Sequence, residues 1–150
     1  MAYMTNDRLA VSTPTLDTNA YADGDIIANT TQLADASPHG ACQLMSVVVI
    51  DIDDKGGGLE IIFLRSNTSM GTINNAPSIS DANARDEIIG HVVIDEYIDQ
   101  GGWQMATKTG IGLTLKPGSG GDLYYAVISD GNTETYTAGG LTFKFGLVTP

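Results

Sequence analysis

Two apolar runs rich in β-branched residues dominate the middle of the chain. Val47, Val48, Val49, Ile50 and Ile52 make the first, and Leu59, Ile61, Ile62, Phe63 and Leu64 the second. Such side chains suit a pleated surface. Between them lies Asp53-Asp54-Lys55-Gly56-Gly57-Gly58, which is turn chemistry, because glycine takes positive φ without a steric penalty. The pattern predicts a long β-hairpin from Leu44 to Ser66 at the centre of an all-β domain.

Strict alternation over this stretch places Leu44, Val48, Ile50 and Ile52 on one face of the first strand, and Met45, Val47 and Val49 on the other with Asp51 and Asp53. In the second strand Leu59, Ile61 and Phe63 oppose Ile62 and Leu64. A sheet with one wet face alternates cleanly, whereas this one is apolar on both faces. The second face therefore needs a cover. A loop or layer of the same chain is the ordinary solution, and another subunit is the alternative.

The rest of the chain is a succession of short strand patterns broken by turns. Met1 to Asp17 is polar, with Pro14 limiting pairing, and reads as an extended N-terminal arm over residues 1–17 in which Arg8 to Val11 form at most a short edge strand. Ile26 to Leu33, His91 to Ile98, Trp103 to Thr107, Ile111 to Lys116, Asp122 to Ser129 and Leu141 to Val148 read as strands. The last is the cleanest, with Leu141, Phe143, Phe145 and Leu147 on one face. In the His91 strand, Val92, Ile94 and Ile98 are assigned inward, with Glu96 marking a bulge or strand end. Ser78-Ile79-Ser80-Asp81 fits a capping pattern, so one short helix is expected near 81–88. The total is about eight strands and one helix over residues 18–150, a single β-sandwich domain of jelly-roll-like form.

Composition narrows the possible partners. Eighteen glycines in 150 residues fit many turns between short strands. The net charge is −11 with seven basic residues. Phosphate contacts need Lys and Arg, so nucleic acid is not an expected partner. Anionic membrane surfaces attract polybasic segments, so a membrane is not expected either. The single Cys42 has no intrachain partner and reads as a small buried hydrophobe. The opening MAYMTNDRLAVSTP has neither a basic n-region nor an apolar h-region, which predicts no secretory signal.

The candidate chemistry is thin. Asp51-x-Asp53-x-Lys55-Gly56 resembles the start of a calcium loop, but the fifth ligand position holds Lys55 and the twelfth Ile62, where oxygen ligands are needed. Solvated carboxylates at a hairpin tip are the expectation. His39 and His91 are the two histidines, and neither has a second His or Cys at metal-ligand spacing. No G-x-S-x-G elbow supports a nucleophilic serine, and the runs Gly56 to Gly58 and Gly118 to Gly121 lack the G-K-[ST] of a phosphate loop. Asp95, Glu96 and Asp99 are read as a solvated rim rather than a hydrolytic pair. No catalytic residue, metal or cofactor is assigned, and the chain is not expected to be an enzyme. Trp103, Tyr97, Tyr124, Tyr125 and Tyr136 are a sugar-stacking platform, interface anchors, or core and rim aromatics.

Three stretches carry a resemblance. Tyr21-x-x-Gly24-Asp25, Asp81-Ala82 to Ile88-Ile89-Gly90, and Thr135-Tyr136-Thr137-Ala138-x-x-Leu141-Thr142-Phe143-Lys144-Phe145-Gly146 resemble small β-rich proteins of tailed-bacteriophage structural gene clusters, some of them similar to capsid decoration (cement, or head-stabilising) proteins. The resemblance implies a jelly-roll-like subunit, a homotrimer, made in the host bacterial cytoplasm and seated on the capsid exterior. There it would clamp neighbouring major capsid protein subunits. On this reading Tyr3, Arg8, Leu9 and Val11 of the arm supply the capsid contact. Met45, Val47, Val49, Ile62 and Leu64 of the central hairpin supply the subunit contact. The alternative is a carbohydrate-binding β-sandwich module of a phage host-recognition fibre, which needs a clustered, exposed aromatic patch.

Overall fold

The computed structural model of the chain describes residues 6–150. Its strands are β1 (Asn6–Ser12), β2 (Ile26–Leu33), β3 (Cys42–Asp51), β4 (Leu59–Leu64), β5 (Ile88–Ile94), β6 (Ile98–Asp99), β7 (Gln104–Lys108), β8 (Leu113–Leu115), β9 (Leu123–Ser129) and β10 (Leu141–Thr149), with one helix, α1 (Asp81–Glu87). They form two antiparallel sheets. The first, sheet I, runs β1-β10-β3-β7-β6, with β8 also on β3; the second, sheet II, runs β2-β9-β4-β5. Setting the short β6 and β8 aside leaves eight long strands. The chain changes sheet at every connection between them except β4 to β5. This is the double Greek-key winding of a jelly roll, as the sequence pattern predicts, with two short strands added.

The central hairpin does not form. β3 lies in sheet I and β4 in sheet II, so residues 52–58 carry the chain from one sheet to the other. The apolar runs that were to pair side by side instead face each other across the core. Leu44, Val47 and Val49 look inward from one sheet, and Leu59, Ile61 and Phe63 from the other, all fully buried. The crossing is held by Asp51. Its carboxylate, expected at a solvated tip, is fully buried and accepts the backbone N–H groups of Asp53 at 3.0 Å, Lys55 at 2.9 Å and Gly56 at 2.8 Å. Glycine is needed at Gly58 because a Cβ there would overlap the carbonyl oxygen of Asp130.

β10 behaves as its alternation predicts: Leu141, Phe143, Phe145 and Leu147 are all buried. Phe145 meets Phe63 edge-on at 5.6 Å and Tyr125 at 5.0 Å, joining the two sheets through tilted rings, the geometry aromatic quadrupoles prefer. The Tyr125 phenol donates to Ser12 Oγ at 2.7 Å and so ties β9 to β1 across the sandwich.

β3 departs from strict alternation. Its pairing with β10 shifts between Gly146 and Leu147, so that Ser46 opposes Gly146 while Leu44 opposes Leu147. Met45 is the extra residue of a β-bulge. Leu44 and Val47 consequently point to the same side. The inner set is Leu44, Val47 and Val49, and the outer set is Val48 and Ile50. The Val47 and Val49 side chains, expected at a subunit contact, are core.

Three further expectations change. The edge strand read over Arg8 to Val11 is longer, Asn6–Ser12, and pairs with β10 from Asn6–Thr149 to Ser12–Phe143, so this part of the segment assigned to an arm belongs to sheet I. Leu16 is buried and donates its N–H to Ala138 O at 2.9 Å. The strand expected over His91 to Ile98 begins earlier, at Ile88, and ends at Ile94; Ile98 crosses to sheet I and is exposed. The helix is where expected, but its cap is Ser80, whose hydroxyl accepts the Asn83 N–H. Ser78 instead donates its N–H to Met70 O.

Two measurements check this architecture. Val47→Lys, which buries an ammonium among apolar neighbours, is expected to lower unfolding free energy by more than about 3 kcal/mol, while Val48→Lys, on the outer face, changes it by less than about 1 kcal/mol. Urea titration of the two variants distinguishes the bulged register from strict alternation, which predicts the opposite order. Burial pushes the phenols of Tyr21, Tyr125 and Tyr136 up to about 12. Their unfolded value is near 10, so above that pH the native chain holds more protons than the unfolded one and stability falls with rising pH. Loss of far-UV signal is expected between pH 10 and 12, in step with phenolate absorbance. A fold that stays intact while all phenols ionise near pH 10 refutes it.

Candidate interaction surface

The two sheets finish their outer faces differently. Sheet II is sealed by its own chain. Leu64, Ile26, Ala126 and Ile128 are buried with Met70, and Ile62, Ile73, Ile79 and Tyr124 pack around them. Met70, Ile73 and Ile79 come from the connection between β4 and α1, which is rich in Asn, Ser and Thr. Asn29 of β2 fastens it. Its amide donates to Gly71 O at 2.6 Å and Ser69 Oγ at 3.1 Å, and its carbonyl accepts the Met70 N–H at 3.0 Å. Asn74 and Asn75 exchange backbone hydrogen bonds with Ile26. Thus Ile62 and Leu64, expected at a subunit contact, are covered by a loop of the same chain.

Sheet I has no such cover among the described residues. The large hydrophobic side chains that stay exposed there are Leu9, Val11, Met45, Ile52, Ile98 and Trp103, and all belong to this sheet or its immediate ends. Register explains the grouping. Leu9 opposes Gly146, Val11 opposes Lys144, and both stand opposite the outward residues of β10. Lys144 opposes Val48, which opposes Thr107; Ile50 opposes Met105, which opposes Ile98. Next to the final Asp51–Gln104 pair, Ile52 and Trp103 are exposed at the same end. An apolar band therefore crosses the sheet from β1 to β6. Leu9, Val11, Ile52 and Ile98 are each more than half exposed, while Val48, Ile50 and Met105 are half-buried by their neighbours.

The residues expected at contacts thus separate. Leu9, Val11 and Met45 lie on this open surface, and Arg8 sits at its edge with its guanidinium donating to Asp35 O at 2.8 Å. Val47, Val49 and Leu64 are interior, Ile62 lies under the loop, and Tyr3 lies outside the described residues. Val48, Ile50, Ile52, Ile98 and Met105 are members that sequence reasoning did not assign to a contact. The doubly apolar β3 signalled the surface, but only the bulge decides which half of the strand faces outward.

Other candidate chemistry is dispersed. Among the described residues no group of three His, Cys, Asp or Glu side chains is placed to hold a metal ion. His91 Nδ1 lies 2.8 Å from Glu60 Oε1 in an exposed pair, and His39 is exposed in a turn. Burial pushes the Cys42 thiol up from its ordinary value. The aromatic residues do not gather into a platform: Tyr125 and Tyr136 are core, the Tyr97 phenol oxygen is buried, and Trp103 makes none of the ring contacts found among the described residues. A cleft of about 460 Å³ is lined by Thr18, Asp53, Lys55 and residues 135–138, and its carboxylate, Asp53, already accepts the Thr137 N–H at 2.7 Å and hydroxyl at 3.0 Å.

The sequence matches no family model and no curated protein. Among solved structures, a chain from Desmodium yellow mottle tymovirus is similar at 10% identity, with a TM-score of 0.29 over 99% of this chain and 82% of that one. A superposition that loose carries no argument, and the jelly-roll assignment stands on the strand order itself.

If Asn29 fastens the seal over sheet II, Asn29→Ala leaves the Met70 N–H without its acceptor and lowers stability by about 1–3 kcal/mol. Hydrogen exchange should quicken at Met70 and Gly71 while the β3–β10 amides stay protected. Unchanged exchange at Met70 refutes the role.

Proposed function

We propose that this chain is a structural virion protein. In this reading it binds the outer surface of a bacteriophage capsid and stabilises contacts between neighbouring major capsid protein subunits. The observation that supports it best is the contrast between the two sheets: one outer face is sealed by the chain's own loop, and the other is a broad apolar surface left open. A protein whose task is contact needs a rigid body and surface to bury, and a specific interface takes about 1,600 Å² in total. Repetition over a symmetric shell turns modest single contacts into lasting attachment. The shell contact falls to the residues ahead of β1, Tyr3 among them, and to Arg8 at the margin of the sheet.

Quantitative mass spectrometry of purified virions tests the assignment. A copy number equal to that of the major capsid protein, or a simple fraction of it, is expected. Absence, or a few copies per particle, removes the decoration role and redirects attention to tail fibres. Removing Met1 to Thr5, which leaves β1 whole, is expected to weaken binding to stripped particles by tenfold or more without lowering the melting temperature. Undiminished binding excludes the N-terminal contact.

A further inference from the structure

We propose that the open outer face of sheet I is the contact between copies of this chain. The inference goes beyond the capsid assignment and does not depend on it. Two properties of the face identify the occupant.

The first is charge. The chain carries a formal −11, so two copies repel unless they meet where the carboxylates are absent. Among the outward-pointing residues of β1, β10, β3 and β7 the charged side chains are Asp7 and Lys144, which cancel. The others are Leu9, Val11, Thr142, Val48, Ile50, Met105, Thr107 and their neighbours. The net negative charge of the molecule therefore lies elsewhere on its surface. A basic or mixed partner would be drawn to that acidic remainder, whereas this face offers such a partner no complement. Another copy of an acidic chain needs a neutral, apolar surface of this kind.

The second is area. Five strands at about 4.8 Å spacing and about six residues at about 3.4 Å rise give roughly 24 Å by 20 Å, or roughly 480 Å² in projection. A standard interface takes about 800 Å² per partner, about 65% of it apolar when the partners are identical, and the face covers more than half of one partner's share. Its apolar members are spread across the whole sheet, from Leu9 on the β1 edge to Ile98 on β6. Lys144 lies among them on a long apolar stem that lets its ammonium reach a rim.

Light scattering on size-exclusion eluates of the full chain at 10–100 µM tests the assignment, comparing the native sequence with a Val48→Lys/Ile50→Lys pair and with a Leu9→Lys/Ile98→Lys pair. The second pair sits at positions more than half exposed in the single chain, so it keeps the fold even where the first does not. The expected result is a native mass of two or three times 15.7 kDa that falls to 15.7 kDa in both variants, with far-UV spectra unchanged. A native mass of 15.7 kDa at 100 µM overturns the proposal, and so do folded variants that keep the native mass. A monomer whose variants lose particle binding overturns it too and assigns the face to the shell. Virions that lack the chain, beside a self-associating native protein, remove the capsid role and leave this contact standing.

Discussion

The antiparallel ladder between β3 and β10 is the joint on which the molecule depends. β10 brings Leu141, Phe143, Phe145 and Leu147 to the core, and β3 answers with Leu44, Val47 and Val49. The ladder also sets what faces out. One extra residue, Met45, turns the parity of β3, so that Val47 and Val49 go in and Val48 and Ile50 go out. It divides the far edge of the strand as well, with β8 pairing Cys42 to Leu44 and β7 pairing Val47 to Asp51. The turn between β7 and β8 passes this point, where Ile111 donates its N–H to Met45 O. A bulge bends and twists its strand locally, and here it leaves one ladder to order both the interior and the surface.

The two sheets solve the same problem in opposite ways. Each has a central strand that is apolar on both sides. In sheet II, Leu64, Ala126 and Ile128 are closed under Met70, and the connection that carries Met70 is held by polar side chains of β2. In sheet I the corresponding side chains are only half-buried. Sealing both faces internally would take a second loop like the one between β4 and α1, and the connections within sheet I, residues 100–103 and 109–112, are short turns. The open apolar surface thus goes with how loop length is distributed along the chain.

The sequence was readable where neighbours in the chain decide the outcome. β10 alternates apolar and polar because one side is core, and its burial follows its pattern residue by residue. β2, β9 and α1 also fall close to their expected bounds. Reading failed where sheet membership decides. Nothing local distinguishes a hairpin from a crossing between sheets, and the Asp-x-Asp-x-Lys-Gly stretch serves either. Asp51 looked like a surface acid because its three N–H donors come from a turn whose shape exists only once the crossing is made. Val47 and Val48 carry the same side chain, so no pattern of hydrophobicity tells which is inside. Leu9 and Val11 were expected on an arm and Met45 on a hairpin, and only the sheet brings them to one surface; Ile98 was assigned to a strand that in fact ends at Ile94, and its exposure follows from the crossing to β6.

The position of β10 bears on how the chain is made. It follows every other strand in sequence, yet in space it lies between β1 and β3. Sheet II has a late strand of its own, β9, which lies between β2 and β4, but β9 precedes β10 in the chain. On the ribosome, sheet II and its sealing loop have their parts before sheet I does, while β1 and β3 wait with open edges for the strand that joins them. A chain interrupted before Leu141 has no partner for either edge and exposes backbone that invites aggregation or proteolysis. Placing the keystone last confines the finished surface to chains whose translation has run through β10, so interrupted products are excluded from any assembly that recognises it.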